Sequence, residues 1–548
     1  MAAVSSSGAL LRSPPFPGID PAVATIDGDG QGAGTVSRDP GRARRVAALL
    51  ATGRVGGGFW GMQATGRPRL IVTGPGGTLP EGDLADSVVV VDASLRCDTH
   101  AALRVGRDVD PWSLIAGAAL VIADPADEIA VLAGAAGCVV HDLSGRPVVD
   151  PDFQRLDDAL LRGRRYRDPF TGDAITVEAA IALLAFWRTT IDANRGLAAA
   201  TGMARWKRRE IARLLWDGRA DDLPFMPPAA AIALAAGSAD AGRGAVAAWP
   251  SRVPADFGVE AADTAVPVRW VEDGFLRSAG LGSDLNPPLS IAVDDLAPYY
   301  DPSRPSRIET ILATHPFPDE LVARAAALRT RIVDGGVGKY GVAGPAADLP
   351  DLPAGRRVVL VAGQVEDDES VLRGGGGVTG NLDLLRRARA AEPGAWILYR
   401  PHPDVEAGHR RGAVADDDAR RHADAVVRGG SLAALIDRAD AVHVLTSLTG
   451  FEALLRHREV VVHGQPFFAG WGLTRDIGLP LGRRMRRLTL DQLVAGVLIL
   501  YPRYLDPRHG LPCPPEVFIT GIASTQGRPT LLTRLRRTQG RVMRLLAG

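Results

Sequence analysis

Lysine is almost missing from this chain: among 63 basic residues it stands only at Lys207 and Lys339, and arginine supplies the rest. That skew matches the codon usage of a GC-rich genome and by itself marks no binding surface. Neither sign of charge is in excess, because 63 acidic residues balance the basic ones. No global field therefore draws the protein to nucleic acid or to a membrane, and any such patch is local. Cysteine is scarce as well. Cys97, Cys138 and Cys513 are odd in number and lack metal-ligand spacing, which argues against a disulfide framework or a structural zinc and suits a reducing compartment. No run of about 18 apolar residues occurs, and no basic segment followed by a short apolar core opens the chain, so the sequence reads as cytoplasmic and non-spanning. The absence of G-x-x-x-x-G-K-[ST], H-E-x-x-H and paired C-x-x-C argues against a P-loop ATPase or a zinc hydrolase.

What is present is a globular composition, 46% hydrophobic and 23% charged over 548 residues, enough for about two to four packed domains. Residues 1–66, rich in Gly, Ser, Ala and Pro, read as a disordered leader. Short β-branched runs follow, "PRLIVTG", "SVVVVDAS", "ALVIAD" and "CVVHDL", and they predict buried parallel strands. "TVEAAIALLAFWRTTIDANR" predicts a helix capped by Thr176 with apolar residues at 177, 181, 184 and 187. A second series supplies strands at "GAVAAW", "VPVRWVE", "RVVLVAGQ", "AWILYRP", "DAVHVLTS" and "EVVVHGQP". The class is α/β. Pro- and Gly-rich text near 336–356 divides the second series, so Rossmann-like units are expected at 67–195, 200–350 and 351–520, with a tail at 521–548. Residues 113–140 also align without gaps on 434–461: Leu114, Ile115, Ala118, Val121, Val139 and Val140 fall on identical residues, while Ser447, Thr449 and Gly450 face Ala126, Glu128 and Ile129. Residues 67–195 are therefore read as a degenerate half of a former second copy.

Candidate chemistry sits just after the predicted strands, where α/β sheets bind ligands. "VEDGFLRSAGLGSD" places Glu272, Asp273 and Asp284 among three glycines; such carboxylates can divide nucleophilic and acid/base work, or merely cap helices in a solvated turn. "YRPHPD" offers Arg400 as a fork and His402 through either ring nitrogen to a phosphate, yet reads equally as a turn histidine held by two prolines. "TSLTGFEALL" offers the Ser447 and Thr449 hydroxyls and a helix start to an anion, although Thr449-x-x-Glu452 is also a capping box; Glu452 could equally reach a ribose hydroxyl. Gln364 suits base, sugar or phosphate contact, while Glu366, Asp367 and Asp368 suit a helix N-terminal turn. Phe467, Phe468 and Trp471 could wall a ligand or fill a core.

These motifs, with "YYDPSRPSRIETIL", "GQPFFAGWGLT" and "LYPRYLDPRHGLPCPPE", resemble the KpsC-type capsule polysaccharide biosynthesis proteins, retaining β-Kdo transferases, over about 200–520. The acidic-Gly and His-Pro pairs are also similar to those of CMP-sialic acid transferases. The resemblance implies a GT-B fold with an acceptor-side domain at 200–350 and a CMP-sugar-binding domain at 351–520, needing neither metal nor cofactor beyond the donor CMP-Kdo. It implies catalytic work by Asp284, Asp273 and Glu272, with either aspartate as nucleophile. It also implies donor binding by His402, Arg400, Ser447, Thr449, Gly450, Glu452, Gln364 and Pro403, and positioning by Arg277, Ser283 and Trp471. Implied partners are a lipid-linked, phosphatidylglycerol-type Kdo acceptor, the inner face of the cytoplasmic membrane and other capsule synthesis and export proteins, with no nucleic acid. The chain departs from the family in carrying one complete motif set where two modules are usual, and residues 168–195 resemble the segment that joins modules. Its last residues, 530–546, set leucines on one helical face among arginines, fit for an anionic membrane surface or for docking. The alternatives are a non-catalytic scaffold or regulatory module of a capsule export complex, or a transferase for a related CMP-sugar.

Overall fold

A computed structural model describes residues 9–24, 26–28, 39–73, 84–91, 103–238, 242–278, 286–339, 341–342, 351–408 and 410–525. The chain divides into two compact units, one of residues 1–195 with 215–223, the other of 196–214 with 224–548.

In the first unit, strands Leu103–Val105, Ser87–Val90, Arg69–Val72, Leu120–Ile122 and Val139–His141 lie side by side in that order, all parallel. This is the doubly wound order in which the first strand is central. Helix Val177–Asn194 follows the expected pattern: Thr176 Oγ1 accepts from Ala179 N, and Val177, Ile181, Leu184 and Trp187 are buried. The expected disordered leader is corrected. Helix Pro40–Gly53, capped by Asp39, packs on Val177–Asn194 through Ala43, Val46, Ala47 and Leu50, a spacing of i, i+3, i+4, i+7 hidden among glycines and arginines. Leu10, Leu11 and Phe16 are buried too.

This unit encloses an ion pair. Arg188, 2% exposed, donates from Nη2 to Asp110 Oδ2 at 2.5 Å and from Nη1 to Arg54 O at 2.7 Å, while Asp110, 0% exposed, also accepts from Trp112 N and Gln63 Nε2. Such a charge is tolerated only while its partner remains.

The second unit holds two six-stranded sheets. The first runs in the order Pro512–Cys513, Pro502–Leu505, Ser290–Asp294, Val268–Asp273, Ala245–Ala248 and Leu197–Thr201, parallel among the last three and antiparallel elsewhere. Helices Pro228–Gly237 and Phe257–Asp263 bury Ile232, Ala235, Phe257 and Ala261 against Ala199, Val246 and Ala248. The second sheet runs Ala425–Val426, Trp396–Arg400, Val358–Ala362, Ala441–Val444, Glu459–Val462 and Arg475–Asp476, all parallel, with helix Asn381–Ala391 packed on its core.

Two expected boundaries are revised. The unit begins at 196 rather than 200, because the alanine-rich "LAAAT" forms a fully buried strand despite weak β propensity. The expected 351–520 domain is not continuous either, since strands Pro502–Leu505 and Pro512–Cys513 return to the first sheet. Of the expected tail, 526–548 lie outside the described residues.

The aligned segments occupy equivalent elements. Helix Pro111–Ile115 corresponds to Leu432–Arg438, strand Leu120–Ile122 to Ala441–Val444, helix Glu128–Ala135 to Leu448–Leu455, and strand Val139–His141 to Glu459–Val462, within one residue of the gap-free alignment at their starts.

Replacing Arg188 by Met strands the Asp110 carboxylate in the interior and is expected to destabilise the first unit by about 3–5 kcal/mol. Urea unfolding of the full chain measures this; a loss under about 1 kcal/mol would show that the pair is solvated.

Candidate active site

Strand Val268–Asp273 is fixed on both sides, parallel to Ala245–Ala248 and antiparallel to Ser290–Asp294, with Glu272 opposite Ala292 and Asp273 opposite Ile291. Its end delivers two successive carboxyl groups. Gly274 N then donates to Ser290 O at 3.0 Å, and a Cβ at Gly274 would collide with the Ser290 side chain, so the chain turns back only with glycine there. Arg277 N donates to Lys339 O at 2.9 Å. Residues 279–285 lie outside the described residues, so the structure places neither Asp284 nor Ser283.

The two carboxyl groups sit in opposite electrostatic states. Asp273 is ion-paired on both oxygens, with Lys207 Nζ 3.3 Å from Oδ1 and Arg277 Nε 2.8 Å from Oδ2. Burial works to raise its pKa, but Arg277 and Lys207 outweigh burial and hold it below the ordinary aspartate value. Glu272 has no such clamp. Burial, reinforced by the negative charge of Asp273, pushes it up to about 8 against the opposing pull of Lys207. Its Oε1 accepts from Tyr300 OH at 3.3 Å. At neutral pH Glu272 therefore carries a proton beside an ionised neighbour, the pairing that divides acid/base labour.

Lys207 lies on the face of Trp249, its Nζ 3.5 Å from the ring centroid, with Trp206 at 5.3 Å. Burial lowers its pKa and Asp273 opposes this. Tyr299 and Tyr300 are held well above the usual phenol range by burial and stay protonated. Sequence reasoning gave none of these three a role.

At the end of strand Trp396–Arg400, His402 caps the short helix Pro403–Glu406, its Nδ1 accepting from Asp404 N at 3.2 Å. That bond puts the neutral ring's proton on Nε2. Burial lowers the His402 pKa, with Lys339 adding to the effect and Asp404 and Asp368 opposing it. Pro403 follows at the first helical position.

Several residues expected to contact a ligand are engaged within the protein. Arg400 is 8% exposed and its Nη1 is engaged by Val427 O at 3.1 Å and Glu406 Oε2 at 3.4 Å, so one arm of its fork is held by the protein. Gln364 directs its whole amide at Thr446, with Oε1 accepting from Thr446 N at 2.8 Å and Nε2 donating to Thr446 Oγ1 at 2.9 Å, and so ties together the ends of two neighbouring strands. Trp471 is fully buried and donates to Phe467 O, with Phe468 also at 0% exposure; these aromatics are core. Gly450 serves packing, since a Cβ there would stand 2.8 Å from Phe468 and 2.9 Å from Val444.

The capping box is corrected as well. The cap of helix Leu448–Leu455 is Ser447, which accepts from Thr449 N at 3.2 Å and donates to Thr449 Oγ1 at 3.0 Å. Glu452 instead accepts from Lys339 N at 3.0 Å, and burial raises its pKa. Asp368 caps helix Glu369–Gly374, as the acidic-turn reading expects.

Lys339 joins these groups. Its carbonyl receives Arg277 from the first sheet's side and its N–H reaches Glu452 on the second's, while its charge bears on Asp273, Tyr299, His402 and Glu452. Both lysines of the chain thus stand among these groups. The signal that could have found them was their rarity in an arginine-rich sequence.

Residues 244–332 and 339–504 match the family described as capsule polysaccharide biosynthesis protein. The capsule polysaccharide modification protein LipA of Neisseria meningitidis serogroup A is 41% identical over 356 residues, 65% of this chain and 49% of LipA. The lipopolysaccharide-processing protein LpsZ of Rhizobium meliloti is 44% identical over 245 residues, 44% of this chain and 55% of LpsZ. The chain thus spans about half the length of the curated relatives it matches. Among solved structures, the β-Kdo 2,4 transferase of Thermosulfurimonas dismutans KpsC is 30% identical with a TM-score of 0.51, the match covering 60% of this chain and 98% of that one. With nearly the whole of that domain matched at this identity, the chain belongs to the capsule polysaccharide biosynthesis protein family, in its KpsC-type branch.

Proposed function

We propose that this protein is a retaining glycosyltransferase of the GT-B arrangement that moves β-Kdo from CMP-Kdo to a lipid-linked, phosphatidylglycerol-type Kdo acceptor in capsule polysaccharide synthesis. The observation that carries the reading is the Glu272/Asp273 pair, one carboxyl neutral and the other ion-paired, at a strand end inside the family-matched region. In this reading the two sheets of the second unit are the two Rossmann-like halves, and residues 67–195 are the remnant of a second module.

Retention requires two inversions at the anomeric carbon. Asp273, held on both oxygens, is a poor nucleophile, and so the role falls to Asp284. Its carboxylate attacks the anomeric carbon, the bond to the CMP phosphate breaks, and CMP leaves as an anion that needs no proton. The acceptor hydroxyl then attacks the same carbon from the vacated face, its proton passes to Glu272, and the bond to Asp284 breaks. Neutral His402 offers Nε2–H to the departing phosphate, and Lys339 supplies positive charge near it, so the reading calls for no metal. The basic text at 530–546 supports a peripheral position at the inner face of the cytoplasmic membrane.

Glu272 accepts a proton only when ionised. With its pKa at about 8, kcat is expected to rise with pH through that value and level off above it. Glu272→Gln should cut transfer by roughly 100- to 10,000-fold and remove this limb. A flat profile between neutral and mildly alkaline pH, shared by wild type and variant, would remove Glu272 from the proton transfer.

Mass spectrometry of peptides after incubation with CMP-Kdo tests donor and nucleophile together. Wild type without acceptor, and Glu272→Gln with it, should carry a Kdo adduct on the peptide spanning 273–284, absent in Asp284→Ala. His402→Ala should slow CMP release by roughly 10- to 1,000-fold without abolishing the adduct. Undiminished turnover in both Asp284→Ala and His402→Ala would overturn the site. A folded chain inert toward CMP-Kdo would overturn the donor and favour another CMP-sugar or the scaffold reading.

A further inference from the structure

Lys207 comes from a different element than the acids it touches. It ends the 3-10 turn Arg205–Lys207, which leads directly into helix Arg208–Leu214. Its N–H bonds Ala204 O at 2.9 Å, which sets the turn, and the next residue is anchored by Arg208 Nε to Met203 O at 3.2 Å and by the Phe225 ring. The side chain is 12% exposed and runs between Trp206 and Trp249 to Asp273 Oδ1. Burying an ammonium costs heavily unless it is matched, and here an aromatic face and a carboxylate match it together.

We propose that Lys207 is a positioning residue: seated on Trp249, it holds Asp273 from Oδ1 while Arg277 holds Oδ2, making Asp273 a fixed support and leaving Glu272 as the carboxyl that exchanges a proton. The catalytic part of this proposal rests on the glycosyl-transfer reading; the geometric part does not.

Three observations favour it. Both Asp273 oxygens are engaged by cations from separate segments, which fixes the carboxylate plane as one contact would not. Arg277 is itself locked, 2% exposed, with Nη1 on Ser278 Oγ at 2.8 Å and its guanidinium 5.9 Å from the Trp206 ring, so the Trp206 indole borders both cations. Finally, arginine is this chain's ordinary cation, yet position 207 is lysine. A compact ammonium fits end-on, 3.5 Å from a ring centroid and 3.3 Å from an oxygen, whereas a planar guanidinium would have to lie flat on the ring and turn its fork away.

Removing the lysine charge also changes what Glu272 feels. Glu272 faces Asp273 on its own strand, Lys207 from the turn, Asp368 from the helix cap of the second sheet and Tyr300 from the loop after Ser290–Asp294. Lys207 is the positive member of that set, so its loss keeps Glu272 protonated to higher pH.

With only two lysines, the full chain labelled with 13C at lysine Cε gives two signals, and Lys207→Arg assigns them. The Lys207 signal is expected upfield of Lys339, displaced by the Trp249 ring current. It should inflect with pH as Glu272 ionises, near 8, and lose that inflection in Glu272→Gln. An undisplaced signal without inflection overturns the proposal whatever the activity. In turnover of CMP-Kdo with a β-Kdo acceptor, Lys207→Arg and Lys207→Met should each lower kcat by roughly 100-fold with little change in the donor KM, and Lys207→Met should move the rising limb to higher pH. Wild-type kcat and pH profile in Lys207→Arg also overturn it. If wild type turns over no CMP-Kdo, the donor reading falls and the titration of the Lys207 signal still decides whether the lysine holds the acid pair.

Discussion

Two adjacent carboxyl groups at the end of one buried strand cannot both be ionised without compensation, and the cations beside them decide which one is. Lys207 and Arg277 converge on Asp273 and leave Glu272 to burial and to the repulsion of its neighbour. The rest of the second unit keeps this asymmetry in place. The antiparallel return Ser290–Asp294 aligns the strand end, the close approach at Gly274 turns the chain, and the turn before Arg208–Leu214 brings in Lys207. From the second sheet, His402 and Asp368 approach at helix starts and Glu452 from within helix Leu448–Leu455, and Lys339 bonds to both sides.

Much of the fold was legible because buried parallel strands announce themselves as β-branched runs, and each strand read from such a run is present. What escaped was structure whose signal is tertiary. "LAAAT" is a strand only because a parallel neighbour and a covering helix bury it. The helix Pro40–Gly53 carries its apolar stripe on small residues. The return of Pro502–Leu505 to the first sheet depends on a partner some 210 residues away, which no local pattern encodes.

The site was legible as a set of motifs but not as a division of roles. Glu272, Asp273 and His402 stand at strand ends as their positions in the text imply, whereas Gln364, Arg400 and Trp471 have the right residue types with their polar atoms turned into the protein. Residue type shows what a side chain can bond; only the surroundings show whether those bonds are already made. Lys207 and Lys339 illustrate the converse, since a compositional oddity that looked like codon usage coincides with the charges that organise the acids.

The first unit carries the same strand and helix order with a different helix start. Where Ser447 and Thr449 open the helix of the second unit's parallel sheet, the equivalent helix opens on Asp127 and Glu128, paired with Arg107 and Arg12. Acids at that helix start complement its dipole themselves, whereas hydroxyls leave that role open. The behaviour of the second unit's site depends on the charge states of the acid pair. Infrared difference spectra between wild type and Glu272→Gln, followed across pH, test it most directly. Wild type is expected to show a protonated-carboxyl band at neutral pH that fades near 8 and is missing from the variant. Spectra showing Glu272 already ionised at neutral pH would contradict it.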